Sequence, residues 1–247
     1  MNTPQPLQAW RVAALTMMRP EELRALLGGD EAAVWVEAAA ACGMPEAQLR
    51  LGRLLLEGKG VAKDEHAAFA CFACAAESGD VEARNMLGRC YENGWGTAPD
   101  FARATEHYRV AAEAGYDWAQ YNLGHLLLDG IGVPCDRGEA FNWYMRAAAQ
   151  GHVRAMNLVA RCLEEGWGLE RNLAAARNWY RKSAAGGYFR GAYNYATLLA
   201  ADGCITGARL WFQRALEIAP EPTRTNMKSA LAKRPEPELR RLAGRNP

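Results

Sequence analysis

Cysteine and histidine are the side chains of this sequence that could bind a metal ion or exchange disulfides. The 247-residue chain has seven cysteines and four histidines, and one Cys-x-x-Cys pair, Cys71 and Cys74. A zinc or redox site needs a second ligand pair, or a thiolate activated where a loop meets a helix. This pair lies inside a helical pattern and has neither, and the histidines are scattered without an HExxH motif. We therefore expect no metal site and no cofactor.

Serine is the remaining candidate nucleophile. Ser78, Ser183 and Ser229 are the only serines, and none begins an S-x-x-K motif or lies within G-x-S-x-G. The sequence also lacks the G-x-x-x-x-G-K-[ST] loop that holds nucleotide phosphates. We therefore predict that the protein is not an enzyme.

Glycine is spaced too regularly to serve one catalytic loop. One column has a step of 36 residues, and it contains Gly43, Gly79, Gly115, Gly151 and Gly187. A second column with the same step contains Gly58, Gly94, Gly130 and Gly166, each followed two residues later by another glycine. Self-similarity at a period of 20–50 residues indicates a stacked-repeat protein.

Each repeat reads as two helices joined by the Gly-x-Gly loop. Residues 119–130 (AQYNLGHLLLDG) place Leu123, Leu126 and Leu127 on one helical face. The first loop glycine suits a left-handed helix end, so we predict positive φ at Gly94 and Gly130. Second helices should begin after the capping residues Asp64, Asp100, Asp136 and Asn172. In these helices we expect a bulky column, Trp35, Trp143, Trp179 and Trp211, to face small residues.

The pattern A-x-x-x-L-G-x-x-x-x-x-G-x-G-V-x-x-D-x-x-x-A-x-x-W-Y-x-x-A-A-x-x-G-x-x-x-A, nearly intact from Ala119 to Ala155, resembles the Sel1-like repeat, a relative of the tetratricopeptide repeat. The resemblance implies an all-α, right-handed superhelical solenoid of antiparallel helix pairs. Residues 31–219 would form a half repeat, four full repeats and one shortened, tetratricopeptide-like repeat. We assign N-terminal capping helices to residues 1–30, and C-terminal capping helices with a tail to residues 220–247.

Some secreted relatives of this family have repeats joined by disulfides, so the alternative that these cysteines form disulfides must be considered. Cys90 and Cys162 share a repeat column with Leu54, Leu126 and Leu199, which indicates apolar core positions. No cysteine pair recurs within a unit, and the N-terminus does not read as a signal peptide. We therefore predict reduced thiols and a cytoplasmic protein.

The charge pattern gives no reason to expect a nucleic-acid or membrane partner. The formal net charge is +1, from 29 basic and 28 acidic residues. Residues 221–247 contain seven basic and three acidic residues, an excess too small to indicate a nucleic-acid tail. We expect a monomer whose partner is a protein or peptide.

The tetratricopeptide resemblance implies that residues two and six positions after the opening alanine of each unit face a concave groove. The candidate binding residues at these positions are Arg53, Asn85, Arg89, Tyr121, His125, Asn157, Arg161 and Asn194. Amide and guanidinium groups can hydrogen-bond a peptide backbone and a carboxylate. Some of the same side chains, such as Arg161 with Glu165, also read as ordinary solvated pairs four residues apart.

These observations indicate a non-catalytic adaptor that holds a partner protein, or an extended segment of one, in the groove. The alternative is a regulatory or accessory subunit that docks an enzyme through its convex loops and terminal helices. A remote third reading, suggested only by links of the family to β-lactams, is a β-lactam or peptidoglycan hydrolase. Trp95 and Trp167, inside two Gly-x-Gly loops, offer a second candidate surface, although we expect them to pack under the second helix of the next unit.

Overall fold

The computed structural model describes residues 32–244, and over this range it contains thirteen α-helices and no strand. The predicted all-α architecture of helix pairs is confirmed, whereas the capping helices predicted for residues 1–30 lie outside the described residues. The helices are α1 (Ala32–Ala41), α2 (Pro45–Glu57), α3 (Glu65–Glu77), α4 (Val81–Asn93), α5 (Phe101–Glu113), α6 (Asp117–Asp129), α7 (Arg137–Ala149), α8 (Val153–Glu165), α9 (Leu173–Ala185), α10 (Phe189–Ala201), α11 (Ile205–Ile218), α12 (Thr223–Ala232) and α13 (Pro237–Ala243).

The chain forms two compact units. Within the described residues, the N-terminal unit contains 32–119 with Gly130–Pro134, and the C-terminal unit contains Gln120–Asp129 with 135–244. In the N-terminal unit, helices α1 to α5 pack against their neighbours in sequence. The C-terminal unit repeats this arrangement from α7 to α11, and α12 and α13 then pack on α11. The last two helices bury Met227, Leu231 and Leu239 in the same apolar cluster as Phe212.

Local capping chemistry explains where the helices begin and end. Asp64, Asp100, Asp136 and Asn172 each accept a hydrogen bond from the backbone N–H three residues later, at 2.8–3.0 Å, as predicted. The predicted left-handed helix ends are also confirmed, because φ is +74° at Gly94 and +69° at Gly130. The ends of these first helices and the starts of the second helices that follow are therefore stabilised by residues within one repeat.

The second glycine of each loop touches the preceding repeat. A Cβ atom on Gly96 would lie 2.1 Å from the carbonyl oxygen of Glu65, which is the first residue of α3. Gly132 approaches the backbone of Phe101 in the same way, and Gly168 approaches Arg137, with would-be Cβ distances of 2.4 and 2.5 Å. The loops of Gly96, Gly132 and Gly168 therefore each lie against the N-terminal turn of the second helix before them.

The rings that pack between paired helices lie one residue after the predicted tryptophan column. A Cβ on Gly52, Gly88 or Gly124 would lie within 2.5–2.6 Å of a ring atom from the following second helix. The fully buried rings of this column are Phe72, Tyr108, Tyr144, Tyr180 and Phe212. The tryptophans also contact small residues, as predicted, at Trp35 and Trp211, which pack with alanine-rich clusters. The rotation of the second helix nevertheless places the next side chain deepest. Trp143 and Trp179 are in addition covered by Arg146 and Lys182, whose cationic groups lie 4.5 and 4.2 Å from the ring centroids.

The buried tyrosines differ in what their hydroxyl groups reach. Tyr108 donates to Glu92 at 2.5 Å and Tyr180 donates to Glu164 at 2.6 Å. In the repeat between them, Leu128 occupies the position of the two glutamates. The hydroxyl of Tyr144 is consequently buried with no hydrogen-bond partner among residues 32–244. Burial raises the pKa of all three phenols.

Substituting Gly96 with alanine tests the contact between loop and helix. Gly96→Ala should lower the free energy of unfolding by about 2–4 kcal/mol, because a left-handed conformation and a backbone overlap are both penalised. Gly79→Ala is the matched control, since Gly79 also has positive φ but nothing lies within 4 Å of its would-be Cβ. This control should cost about 1 kcal/mol. Urea unfolding measures both, and equal losses would contradict the proposed contact.

Removing the hydroxyl of Tyr144 should not destabilise the protein. Tyr144→Phe removes a buried polar group without a partner, so we expect an unchanged free energy of unfolding or a gain of about 1 kcal/mol. Tyr108→Phe removes a hydrogen bond to a carboxylate and should cost about 1.5 kcal/mol. Thermal and urea unfolding of the two variants, measured side by side, would refute this account if Tyr144→Phe proved the more damaging change.

Candidate functional site

A polar cleft of about 430 Å³ lies on the first-helix side of the C-terminal unit. Its lining comes mainly from α6, α8 and α10, which are successive first helices. Five residues predicted from the sequence line it together, namely Tyr121, His125, Asn157, Arg161 and Asn194. Spacing along each helix explains this convergence, because residues four apart share a face and the repeat returns the same face in the next first helix.

Two asparagine amides join neighbouring first helices at this cleft. Nδ2 of Asn194 donates to Oδ1 of Asn157 at 3.0 Å. Asn157 is only 4% exposed. Its side chain therefore faces the adjacent helix, although the repeat pattern predicts that it faces the groove. The bond uses one acceptor of Asn157 and one donor of Asn194, and the amides retain further hydrogen-bonding capacity.

The fifth repeat has a different register from the one predicted. Helices α8 and α10 begin at Val153 and Phe189, which are 36 residues apart. Gly191 takes the place of Ala155, because a Cβ there would lie 2.3 Å from Oγ of Ser183 in the preceding second helix. The prediction of Asn194 takes Ala192 as the opening alanine of this repeat, and it is therefore wrong by one residue. The structural equivalents of Asn157 and Arg161 are Tyr193 and Thr197, and Asn194 lines the cleft from the adjoining position.

Aromatic rings pack along one side of the cleft. The Tyr121 ring stacks on His152 at 4.9 Å and meets the edge of His125 at 4.6 Å, both between ring centroids. Nδ1 of His152 accepts from the backbone N–H of Ala155 at 3.1 Å, which caps α8 and fixes the imidazole. Burial raises the pKa of the Tyr121 phenol, while the nearby charges of Arg154 and Arg190 oppose this rise.

Two cleft arginines, Arg154 and Arg190, were missed in the sequence. They lie in the first turn of α8 and α10, and both are exposed. The guanidinium of Arg154 lies 5.9 Å from the ring centroid of Tyr188. A signal existed, because the repeat column changes from acidic to basic along the chain: Glu46, Glu82, Trp118, Arg154 and Arg190. Charges near a helix start are also typical of ordinary solvated residues, so this column by itself does not indicate a binding site.

Two predicted binding arginines lie over the loop tryptophans. The guanidinium of Arg161 is 4.9 Å from the Trp167 ring centroid, and that of Arg89 is 5.0 Å from Trp95. Both tryptophans are half-buried. Trp95 packs on a cluster that includes Phe69 and Phe72 of the preceding second helix. For Trp95 the expected packing under the next unit's second helix was therefore wrong, because its loop folds back toward the repeat before it.

The remaining predicted residues lie in the N-terminal unit. Arg53 forms an ion pair with Glu82, and the hydroxyl of Tyr116 donates to the same carboxylate at 2.8 Å. Glu82 thus balances the charge of Arg53 inside the unit. Asn85 is only 3% exposed, which leaves little of its surface for a ligand in this arrangement.

The cysteines differ in burial more than in chemistry. All seven thiols are free, with Cys90 and Cys162 buried in the core as their leucine-containing column predicted. Burial raises the pKa of Cys90 to about 12 and that of Cys162 to about 11. Across residues 32–244, no three His, Cys, Asp or Glu side chains are grouped so that they could hold a metal ion. None of the helices in this range is long and apolar enough to cross a membrane.

Comparison with known families identifies the repeat. A profile of the family described as Sel1 repeat matches residues 45–80, 81–116, 119–152 and 153–188, which together make up more than half of the chain. The resemblance predicted from the glycine and alanine columns is thereby confirmed. No match was found among curated proteins.

Solved structures with the same architecture include a Sel1 repeat protein from Oxalobacter formigenes. It is 26% identical, with a TM-score of 0.78, and the match covers 90% of this chain and 96% of that one. A protective antigen of uropathogenic Escherichia coli, displaying an SLR fold, is 24% identical with a TM-score of 0.73, and the match covers 91% of this chain but 48% of that one. An immunity protein from Pseudomonas aeruginosa is 16% identical with a TM-score of 0.53, and the match covers 79% and 74% of the two chains. The last two likenesses concern the fold alone.

Alkylation should separate the thiols by burial. At about pH 8, near the ordinary thiol pKa, iodoacetamide should label Cys42, Cys74, Cys135 and Cys204 rapidly, because these residues are exposed. Cys90 and Cys162 should react only after unfolding, since burial both shields the thiol and suppresses the thiolate. Peptide mass spectrometry gives the rate at each site. Rapid labelling of the two buried cysteines, or fewer than seven thiols in unfolded protein without reductant, would contradict this arrangement.

Proposed function

The chain belongs to the Sel1 repeat family, whose repeats are generally protein–protein interaction modules, and we propose that it is a non-catalytic adaptor. Its C-terminal cleft holds an extended segment of a partner protein. The observation that carries this proposal is the shared lining of the cleft by predicted residues from three successive first helices.

An extended peptide has the hydrogen-bonding needs that this lining meets. Its backbone N–H and C=O groups lack partners within the segment and must find them on the binding surface. The amide of Asn194, held in place by its hydrogen bond to the buried Asn157, offers a donor and an acceptor, and Arg161 offers donors. These groups come from helices rather than loops, so the peptide would meet a largely preformed surface.

Tyrosines supply the apolar part of the cleft. Tyr121, Tyr180, Tyr188 and Tyr193 all contribute to its lining. A tyrosine provides a large contact area with few rotatable bonds and ends in a hydroxyl group, which makes it common in protein-binding surfaces. Cleft volumes between about 300 and 1,000 Å³ are typical of sites that enclose a ligand, so this cleft suits a short stretch of peptide.

In the N-terminal unit, Arg53, Asn85 and Arg89 are proposed as further partner-binding residues. These residues occupy the repeat positions equivalent to the C-terminal ones. Arg89 is the strongest of the three as a ligand contact, because Asn85 is only 3% exposed and the ion pair of Arg53 with Glu82 would have to break or be shared.

An accessory subunit that docks an enzyme is the second candidate function. It is favoured by an open hollow of about 900 Å³ among α11, α12 and α13, with Leu216, Thr225 and Lys228 in its lining. The convex-loop part of this alternative is less favoured, since Trp95 and Trp167 are already covered by arginines.

Substitution of the equivalent arginines of the two units, Arg89 and Arg161, tests the adaptor proposal. Arg89→Ala combined with Arg161→Ala should reduce partner retained from the native cell about tenfold or more, because charge-assisted contacts would be lost. The midpoint of thermal unfolding should change little. Quantitative mass spectrometry of the captured proteins, with the unmodified chain as reference, measures the effect.

Arg146→Ala is the matched control for that experiment. Arg146 also lies over a tryptophan, Trp143, but on a second helix outside the cleft, so its removal should leave partner capture unchanged. A photoreactive amino acid at Tyr188 should also crosslink the partner, whereas the same residue at Ser229, in the α11 to α13 hollow, should not. Crosslinking only from Ser229, with capture intact in the double variant, would favour the accessory-subunit function instead.

A further inference from the structure

The C-terminal unit has two arginines where the N-terminal unit has an ion pair. Arg53 and Glu82 are 29 residues apart, and Arg161 and Arg190 occupy the same two repeat positions with the same spacing. In the N-terminal unit these positions meet, because Arg53 and Glu82 are in direct contact. In the C-terminal unit both arginines line the cleft.

The charge of this arginine pair is not balanced as that of Arg53 is. Within residues 32–244, neither Arg161 nor Arg190 has a carboxylate within ion-pair distance, and each instead lies near an aromatic ring, Trp167 or Phe189. Of the two glutamates that line the cleft, Glu164 accepts the hydrogen bond from Tyr180. Arg154 brings a third guanidinium to the same cleft.

The N-terminal ion pair shows which ligand would satisfy such a position. Replacing Glu82 by an arginine in the equivalent place removes an attraction and brings two like charges together, which is unfavourable even near a protein surface. A carboxylate from outside the chain would restore the missing group and could accept from both guanidinium forks. The carboxylate of Glu82 shows that this repeat position can hold one, since it contacts Arg53 and also accepts from Tyr116.

We propose that the partner segment held by the cleft is acidic, and that one of its Asp or Glu carboxylates binds between Arg161 and Arg190. Arg154 takes a second carboxylate of the same segment. This inference rests on the proposed function and specifies its ligand. Three guanidinium groups favour an internal acidic stretch over a C-terminus, because a terminal carboxylate contributes a single negative charge.

A labelled peptide tests this specificity without knowledge of the natural partner. The probe is a fluorescein-labelled peptide of alternating glutamate and serine with blocked termini, and the comparison probe has glutamine in place of glutamate. Fluorescence anisotropy at low salt should show binding of the glutamate peptide that is about tenfold or more tighter than that of the glutamine peptide.

Arg190→Glu should abolish binding of the glutamate peptide, because it recreates inside the cleft the ion pair of Arg53 and Glu82. Folding should be retained, since the same arrangement already exists in the N-terminal unit; circular dichroism and thermal unfolding check this. Arg181→Glu makes the same charge change at an exposed position of α9 outside the cleft, where Arg181 donates a hydrogen bond to Asn178. This variant should leave binding within about twofold.

Two results would overturn the inference: equal affinity for the glutamate and glutamine peptides, or equal losses in Arg190→Glu and Arg181→Glu. The first result would show that binding does not require a carboxylate. The second would show that the loss of binding follows from the change in net charge and not from the position of Arg190. If the Arg89 and Arg161 double variant loses the cellular partner while Arg190→Glu retains it, the adaptor function stands and the acidic-segment inference fails. Loss of neither partner nor peptide in any of these variants would reject both.

Discussion

The fit of one aromatic ring against one small residue determines how closely the two helices of each repeat approach. At Gly52, Gly88 and Gly124 the absence of a side chain leaves room for a ring from the second helix, and Ala160 keeps the fourth position small and buried. Because protein interiors are close-packed, a ring that fits there fixes both the distance and the rotation of the second helix. The rotation in turn places the tryptophan column beside the ring rather than opposite the small residue, where Trp143 and Trp179 are covered by cations.

Features set by local chemistry were predictable from the sequence. Asp136 caps its helix and Gly130 ends the previous one for reasons contained within a few residues. The choice between Trp143 and Tyr144 as the inward ring was not local. Adjacent helical residues point about 100° apart, and only packing against the partner helix decides which one faces inward. The predicted register of α10 was wrong for a similar reason. Gly191 and Ala192 are both small, and only their contacts with the preceding helix show which of them opens the repeat.

The cleft shows the same division between local and non-local information. Tyr121, His125, Asn157 and Arg161 could be predicted because spacing of four along a helix determines a shared face. The place of Arg154 in the cleft lining could not be predicted in this way, because it depends on contacts with the next repeat, such as the one with Tyr188. A charged side chain in a first helical turn reads as solvated surface until the structure shows which side chain of the neighbouring repeat lies opposite. The exchange of glutamate for arginine along this column therefore becomes meaningful only when the repeats are superposed.

The contact between the second loop glycine and the preceding helix has an evolutionary consequence. Its receiving residues are Glu65, Phe101 and Arg137, whose side chains differ in size and charge. The glycine meets mainly their backbone atoms and, at Phe101, Cβ as well. An interface made in this way does not constrain the side chain on the receiving side. A duplicated repeat inserted into the gene would therefore stack on its new neighbour at once, and the receiving position could diverge without compensating mutations. Arrays of this kind can change length and surface specificity independently, by duplication in one case and by point mutation in the other.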